Sequence, residues 1–270
     1  VTNLAFMIYS VNLLSKVENG KFQYYLSLLP IVLAIAEFGL PNALIKYISP
    51  LADKNEDPGA LLRASLKIKF YSFLLLVLLS IIAFAFTYEN YFVLVILVFG
   101  GIIVSFISYF ESIFISYRKY IALSLWNPLP NILRLSLLFY FAQTSIHPLT
   151  YLDILTIFAI SPIFILFLFF FFFGGKEISW SAPSDLVKDN ERKLILFNLW
   201  AFTASIFAIL SDRLEVFFLN QFHPPEIVAD YGTALQLFSG FVIILATFNS
   251  IIYPKLSRLA ESDEFPIFLK

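Results

Sequence analysis

"LAIAEFGLPNALIKYIS", residues 33–49, is apolar enough over most of its length to lie in lipid. It nevertheless carries a glutamate, a glycine, a proline and an asparagine near its centre and a lysine near its end. What Glu37, Gly39 and Pro41 mean depends on the chain around them. Of 270 residues, 60% are hydrophobic and only 14% charged, and the mean hydropathy is +0.84. Soluble domains are nearer half apolar and a quarter charged, so this composition is that of an all-α integral membrane protein. The absence of cysteine from the 270 residues excludes disulfides, thiol catalysis and thiolate metal sites within them. The chain starts at Val1 and stops at "FPIFLK", where another apolar segment is beginning, which reads as a piece of a longer protein.

Crossing the hydrocarbon core takes about 20 apolar residues. Working outward from 33–49, eight candidate spans emerge: about 1–15, 22–48, 66–88, 91–116, 121–142, 150–173, 193–219 and 230–253. Each is expected to be continuous helix, because unpaired backbone groups are not tolerated in lipid. The run "FILFLFFFFF" (164–173) reads as a lipid-facing stripe.

The connections alternate in charge. Lys46, Lys54, Arg63, Lys67 and Lys69, then Arg118 and Lys119, then Lys176, Lys188, Arg192 and Lys193, then Lys255 and Arg258 fall on one side. The other side, "TYEN" (87–90), "QTSIHPLT" (143–150) and "NQFHPPEIVAD" (220–230), is nearly free of base, and only Lys16 and Lys21 run against the trend. Thirteen bases against two place the basic loops, and the N-terminus, in the cytoplasm. The polar connection 174–193 reads as a linker between two halves, which predicts a first six-helix bundle over 1–173, a cytoplasmic linker over 174–192 and the start of a second bundle over 193–270. Residues 231–262 echo residues 22–53 at an offset of about 209, each running from an aromatic through an apolar stretch to a lysine exit, as expected for an internal repeat.

Ionisable groups at membrane depth are expensive, from about 2.5 kcal/mol upward, so each needs a partner or an aqueous cavity. At about 1.5 Å per residue, Glu37 and Arg134 both fall near mid-depth. Pro128 and Pro130 interrupt the helix below Arg134 and free carbonyls to line a polar space. One reading is a lumen in which Arg134 binds an anion, its planar fork suited to phosphate, while Glu37 tunes or balances it. The other is a structural Glu37–Arg134 bridge. On the seventh span Asp212 and Glu215 share a face and could take a coupling cation, with Arg213 about 100° away; equally, the group could sit at the outer interface. Glu111 reads as an interfacial acid beside Arg118 and Lys119, and Asp153 as a helix-start acid. Asn42, Asn127, Asn131 and Asn249 suit sugar hydroxyls or interhelical hydrogen bonds. His147 and His223 lie in loops and form no ligand cluster.

The segments "GKFQYYLSLLPIVLAIAEFGLPNALIKYIS", "YRKYIALSLWNPLPNILRLSLLFYF" and "LSDRLEVFFLNQFHPPEIVADYGTALQL…IIYPKLSRLAES" resemble the polysaccharide-biosynthesis, O-antigen (Wzx-type) flippases of the multidrug/oligosaccharidyl-lipid/polysaccharide exporter superfamily. The resemblance implies two pseudo-symmetric bundles around a central cavity, of which this chain is the first half plus the start of the second, in a bacterial or archaeal inner membrane. It implies movement of an undecaprenyl-diphosphate-linked oligosaccharide across that membrane by alternating access. Arg134 and Arg213 would be the cationic cavity residues, Glu37, Asn42, Asn131 and Asn249 further substrate contacts, and Asp212 and Glu215 the site of a coupling H+ or Na+. The expected partners are the lipid-linked substrate and membrane lipids, with no cofactor, no metal and no nucleic acid. Glu37 and Asn42 would face the lumen, and Gly39 and Pro41 would supply a hinge.

Two alternatives follow from the same residues. A cation-coupled multidrug antiporter of the same superfamily would show a lumen dominated by carboxylates. A membrane enzyme of the same pathway would carry a large outer loop with catalytic Arg, His or acid residues. The outer connections, about 4 to 11 residues and nearly uncharged, argue against the enzyme.

Overall fold

A computed structural model of the chain describes residues 2–86, 91–126, 128–173, 183–238 and 240. It is helical throughout its regular elements: α1 (Thr2–Leu13), α2 (Lys16–Glu37), α3 (Leu40–Asp53), α4 (Gly59–Phe86), α5 (Tyr91–Ser116), α6 (Tyr120–Trp126), α7 (Leu129–Thr144), α8 (Tyr151–Ile160), α9 (Ile163–Phe173) and α10 (Ser184–Phe222). Residues 225–238 are helical as well. Among the described residues four stretches are long and apolar enough to cross a membrane, in α4, in α5, across α8 into α9, and in α10, and the bent α2–α3 pair makes a fifth if it is one span. The chain is thus an all-α, multi-pass membrane protein.

Local chemistry sets the helix ends. Ser15 caps α2 by accepting from the Glu18 N–H at 3.3 Å, and Thr150 and Asp153 form a reciprocal capping box at the start of α8. Asp153 is therefore the helix-start acid that its position implied. Ser15 starts α2 several residues before the apolar core that hydropathy detects, and α10, with no side-chain cap, runs 39 residues through polar turns at its start.

The expectation of unbroken spans is corrected at three places. Between α2 and α3 the axis bends by 44°, with Phe38 (φ 47°) and Gly39 (φ 70°) both left-handed. Pro41 then occupies the first turn of α3, where its missing N–H leaves no bond unmade. The fifth predicted span is split between α6 and α7 ahead of Pro130. The sixth is split between α8 and α9 at Ser161-Pro162, where a proline N cannot continue the ladder.

α2 is wedged among α4, α5, α8 and α10, while α3 packs on α5, α4 and α10 and α1 lies against α7. One apolar core joins Leu44 and Ile48 of α3 to Ile68 of α4 and Tyr109 and Phe114 of α5. A second joins Phe6 of α1 and Phe22 of α2 to Leu138 of α7 and Ile154 and Phe158 of α8. On the outside, α4 exposes Phe70, Leu74, Leu78 and Ile81, and α9 exposes Phe164 and Phe167. These apolar faces are what a helix presents to lipid tails. The loops gather at two ends of the bundle. Residues 16–21 meet Tyr151 and Asp230 at one end, and Asp53 pairs with Arg118, and Lys67 with Glu191, at the other.

Candidate functional site

Two cavities lie end to end along α2 and meet at Pro30 and Leu33, which line both. The larger, of about 710 Å³, is lined by Arg134 of α7, by Asp212 and Arg213 of α10, and by Gln23 of α2 and Gln236 of the 225–238 helix. The second, of about 490 Å³, is lined by Glu37, Asn42, Ser108, Glu111, Ser112 and Ser205 among others. One cavity thus holds two guanidiniums against one carboxylate. The other holds two carboxylates and no base.

Arg134 is 8% exposed. Its Nε donates to the Phe158 carbonyl at 2.8 Å and its Nη1 to Asn131 Oδ1 at 3.1 Å, and the guanidinium lies 4.0 Å from the centre of the Phe158 ring. The Phe158 carbonyl is available because the residue four positions on is Pro162, which has no N–H to donate. A helix break on α8 is therefore what seats the guanidinium on α7. No carboxylate stands within ion-pair distance of Arg134 among the described residues, so its charge is held by dipoles and a ring face alone.

Asp212, Arg213 and Val216 form the arc of α10 that faces the larger cavity. Asp212 and Arg213 lie four and three residues before Val216, on either side of it, so the three span an arc of about 100°. Glu215 lies outside that arc and accepts from the Tyr231 hydroxyl, so the expected Asp212–Glu215 face is not the one that lines the cavity. Glu37 and Asn42 share the second cavity rather than Arg134's, and Glu37 and Arg134 form no bridge. Glu111, read from sequence as an interfacial acid, instead lines the second cavity beside Glu37. Asn127 and Asn249 lie outside the described residues.

One charged residue was misplaced by the sequence reading. Lys69 was counted among the loop bases, but it is 1% exposed, inside the bundle on α4. Its Nζ donates to the Ser105 carbonyl at 3.0 Å and to the Ser105 hydroxyl at 2.5 Å. The rings of Phe73, Phe106 and Tyr109 surround it with centroids 5.3, 5.0 and 5.4 Å away. A signal was present in "KIK": lysines two apart on a helix point roughly 200° apart, so Lys67 and Lys69 cannot both face water.

The larger cavity is closed at the Lys16 end by a polar zipper between α2 and the 225–238 helix. Lys16 pairs with Asp230 at 2.9 Å, Asn19 donates to Thr233 at 3.2 Å, and Gln236 donates to Gln23 at 2.7 Å. Gly20 and Gly232 permit the close approach. A Cβ on Gly20 would strike the Pro225 backbone, and one on Gly232 would strike the Gln23 side chain. At the opposite end α10 closes on the helix break through Phe38–Phe202 and Tyr47–Phe197 ring contacts at 5.3 and 5.9 Å.

A family model described as polysaccharide biosynthesis protein matches residues 2–260. No curated protein and no solved structure matches the chain.

Proposed function

Because the chain belongs to the polysaccharide biosynthesis protein family, whose members are membrane flippases of the O-antigen (Wzx) type, we propose that it moves an undecaprenyl-diphosphate-linked oligosaccharide across the cell membrane, N-terminus in the cytoplasm. The observation that carries this reading is Arg134, a buried guanidinium that lines a cavity with Arg213 and has no acid paired to it. A charge held in a low-dielectric interior without a counter-ion favours an anionic ligand, and a guanidinium presents two parallel donors to a phosphate. Gln23 and Gln236 in the cavity supply neutral donors and acceptors of the kind that suit sugar hydroxyls, and Asn131 acts behind them by accepting from Arg134. Asp212, in the same cavity, is the group through which a coupling H+ or Na+ would act.

Alternating access then has named parts. The first bundle (1–173) rocks against α10 and the helix that follows it, and residues 184–192 of the 174–192 connection move with the second part because they are the first turns of α10. Release to the outside requires the α2 zipper to part from the 225–238 helix, and loading requires Phe38 and Tyr47 to part from α10. A cation-coupled antiporter is the second reading, favoured by one observation, the paired carboxylates Glu37 and Glu111 in the second cavity.

The test is restoration of surface polysaccharide by the full-length gene in cells lacking their own repeat-unit flippase, with membrane protein levels matched. Arg134→Ala and Arg213→Ala should each lower export by at least about tenfold, as expected when a charged contact to a buried ligand group is removed. Arg134→Lys should be intermediate. Full export by both alanine variants overturns the anion site, and drug resistance without polysaccharide restoration transfers the assignment to the antiporter.

A further inference from the structure

The break in α2–α3 leaves a carbonyl to be satisfied. In an unbroken helix the Ala36 oxygen would accept from the N–H of Leu40. Here the left-handed Phe38 and Gly39 turn the chain away, and the oxygen, in a fully buried residue, accepts instead from Ser72 of α4 at 3.0 Å and Ser105 of α5 at 3.1 Å. The Ser105 hydroxyl that donates to Ala36 is the one that accepts from Lys69, and the Ser72 hydroxyl is also within hydrogen-bonding distance of the Lys69 carbonyl. The residue after Ala36 is Glu37, which sits beside Ser108 and within electrostatic range of Lys69 without touching it. Three helices thus meet at one freed carbonyl, with a caged ammonium at the centre of the meeting.

We propose that Lys69 is a positioning residue that latches the α2–α3 break through Ser105 and so presents Glu37 and Asn42 to the second cavity. Lys69 lines neither of the two cavities. It acts by polarising the Ser105 hydroxyl toward Ala36 and by holding α4 against α5 across the bend. The cage explains why a cation is used. Rings at this distance favour an ammonium by their faces, and hydrogen bonds from a charged donor are about twice as strong as neutral ones. A neutral residue of the same length would leave Ser105 with nothing to orient it. The inference rests on the transport reading for its importance, but the latch is defined by geometry and can be tested without transport.

The experiment places single cysteines in a cysteine-free form of the full-length protein, Ile45→Cys in the second cavity and Leu235→Cys in the first, and reads their rates of reaction with a water-soluble maleimide in membranes. Lys69→Met should change the Ile45→Cys rate on the order of tenfold, the effect of losing hydrogen bonds to a charged group, while leaving the Leu235→Cys rate unchanged. Ser105→Ala should shift the Ile45→Cys rate in the same direction. The double variant should be no worse than Lys69→Met alone, because both act through one bond. Lys69→Arg, which keeps the charge and the donors, should recover part of the wild-type rate. An unchanged Ile45→Cys rate in Lys69→Met, an equal change at both cavities, or additive effects of the two substitutions would overturn the latch. Failure of the full-length gene to restore surface polysaccharide would remove the transport reading and leave these labelling results as they stand.

Discussion

Replacing Gly20 with alanine should prise open the Lys16 end of the larger cavity. The added Cβ would lie 2.5 Å from the Pro225 carbonyl carbon and 3.0 Å from its Cα, and closer still to the oxygen. These are backbone atoms at the start of a helix, so relief requires the whole 225–238 helix to move. Overpacking of this kind costs about 1–3 kcal/mol. If that cost falls only on the closed arrangement, the equilibrium between closed and open shifts by roughly 5- to 150-fold. Gly232→Ala is the internal control, since its Cβ meets only side-chain atoms of Gln23, at 2.7 to 2.9 Å. Gln23 can rotate away, at the loss of its bond to Gln236. The assay is oxidative cross-linking of Asn19→Cys to Thr233→Cys, whose native side chains are hydrogen-bonded at 3.2 Å. Maleimide labelling of Leu235→Cys from outside the cell is read in parallel. Gly20→Ala should lower the cross-linking yield and raise the labelling rate, and Gly232→Ala should do the same to a smaller degree. Unchanged cross-linking in Gly20→Ala, or a larger effect from Gly232→Ala, would refute the reasoning.

Two further substitutions probe the helix break from the α10 side. Gly39→Ala forces a left-handed φ on a residue with a Cβ and places that Cβ 3.0 Å from the Asn198 carbonyl oxygen. A loss of about 1–3 kcal/mol, seen as a lower unfolding temperature in detergent, is expected. Asn198 is fully buried, and among the described residues neither its Oδ1 nor its Nδ2 has a partner. Asn198→Leu should therefore raise the unfolding temperature, by an amount matching about 1 kcal/mol, because an unmade amide is replaced by an apolar group of similar size; a fall in that temperature would show that the amide is satisfied.

Composition, hydropathy and loop charge were enough to establish a multi-pass helical membrane protein. They also picked out most of the helices, because both lipid solvation and the charge of short loops act on local sequence. The same local signals marked Arg134, Asp212 and Arg213 as unusual, since an ionisable residue in an apolar run stands out whatever surrounds it. Asp153 was legible for a similar reason: a capping box closes within four residues.

Which charges share a cavity was decided only by the packing. Glu37 and Arg134 lie at comparable depth when residues are counted along straight helices, yet Arg134 lines the first cavity and Glu37 the second. The two cavities meet at Pro30 and Leu33, stacked along one stripe each of α2, α5 and α10. The arc of α10 that faces inward, Asp212-Arg213-Val216 rather than Asp212 with Glu215, depends on where α2 and the 225–238 helix come to rest. Lys69 was mistaken for a loop base because hydropathy averages over a window, whereas burial is a property of one face. Its role became visible only when α4 and α5 were brought to the carbonyl that the Phe38–Gly39 turn releases. Chain-local chemistry determines where a helix breaks and which groups it leaves unpaired. Only the tertiary structure decides who satisfies them, because the partners come from helices tens of residues away in sequence.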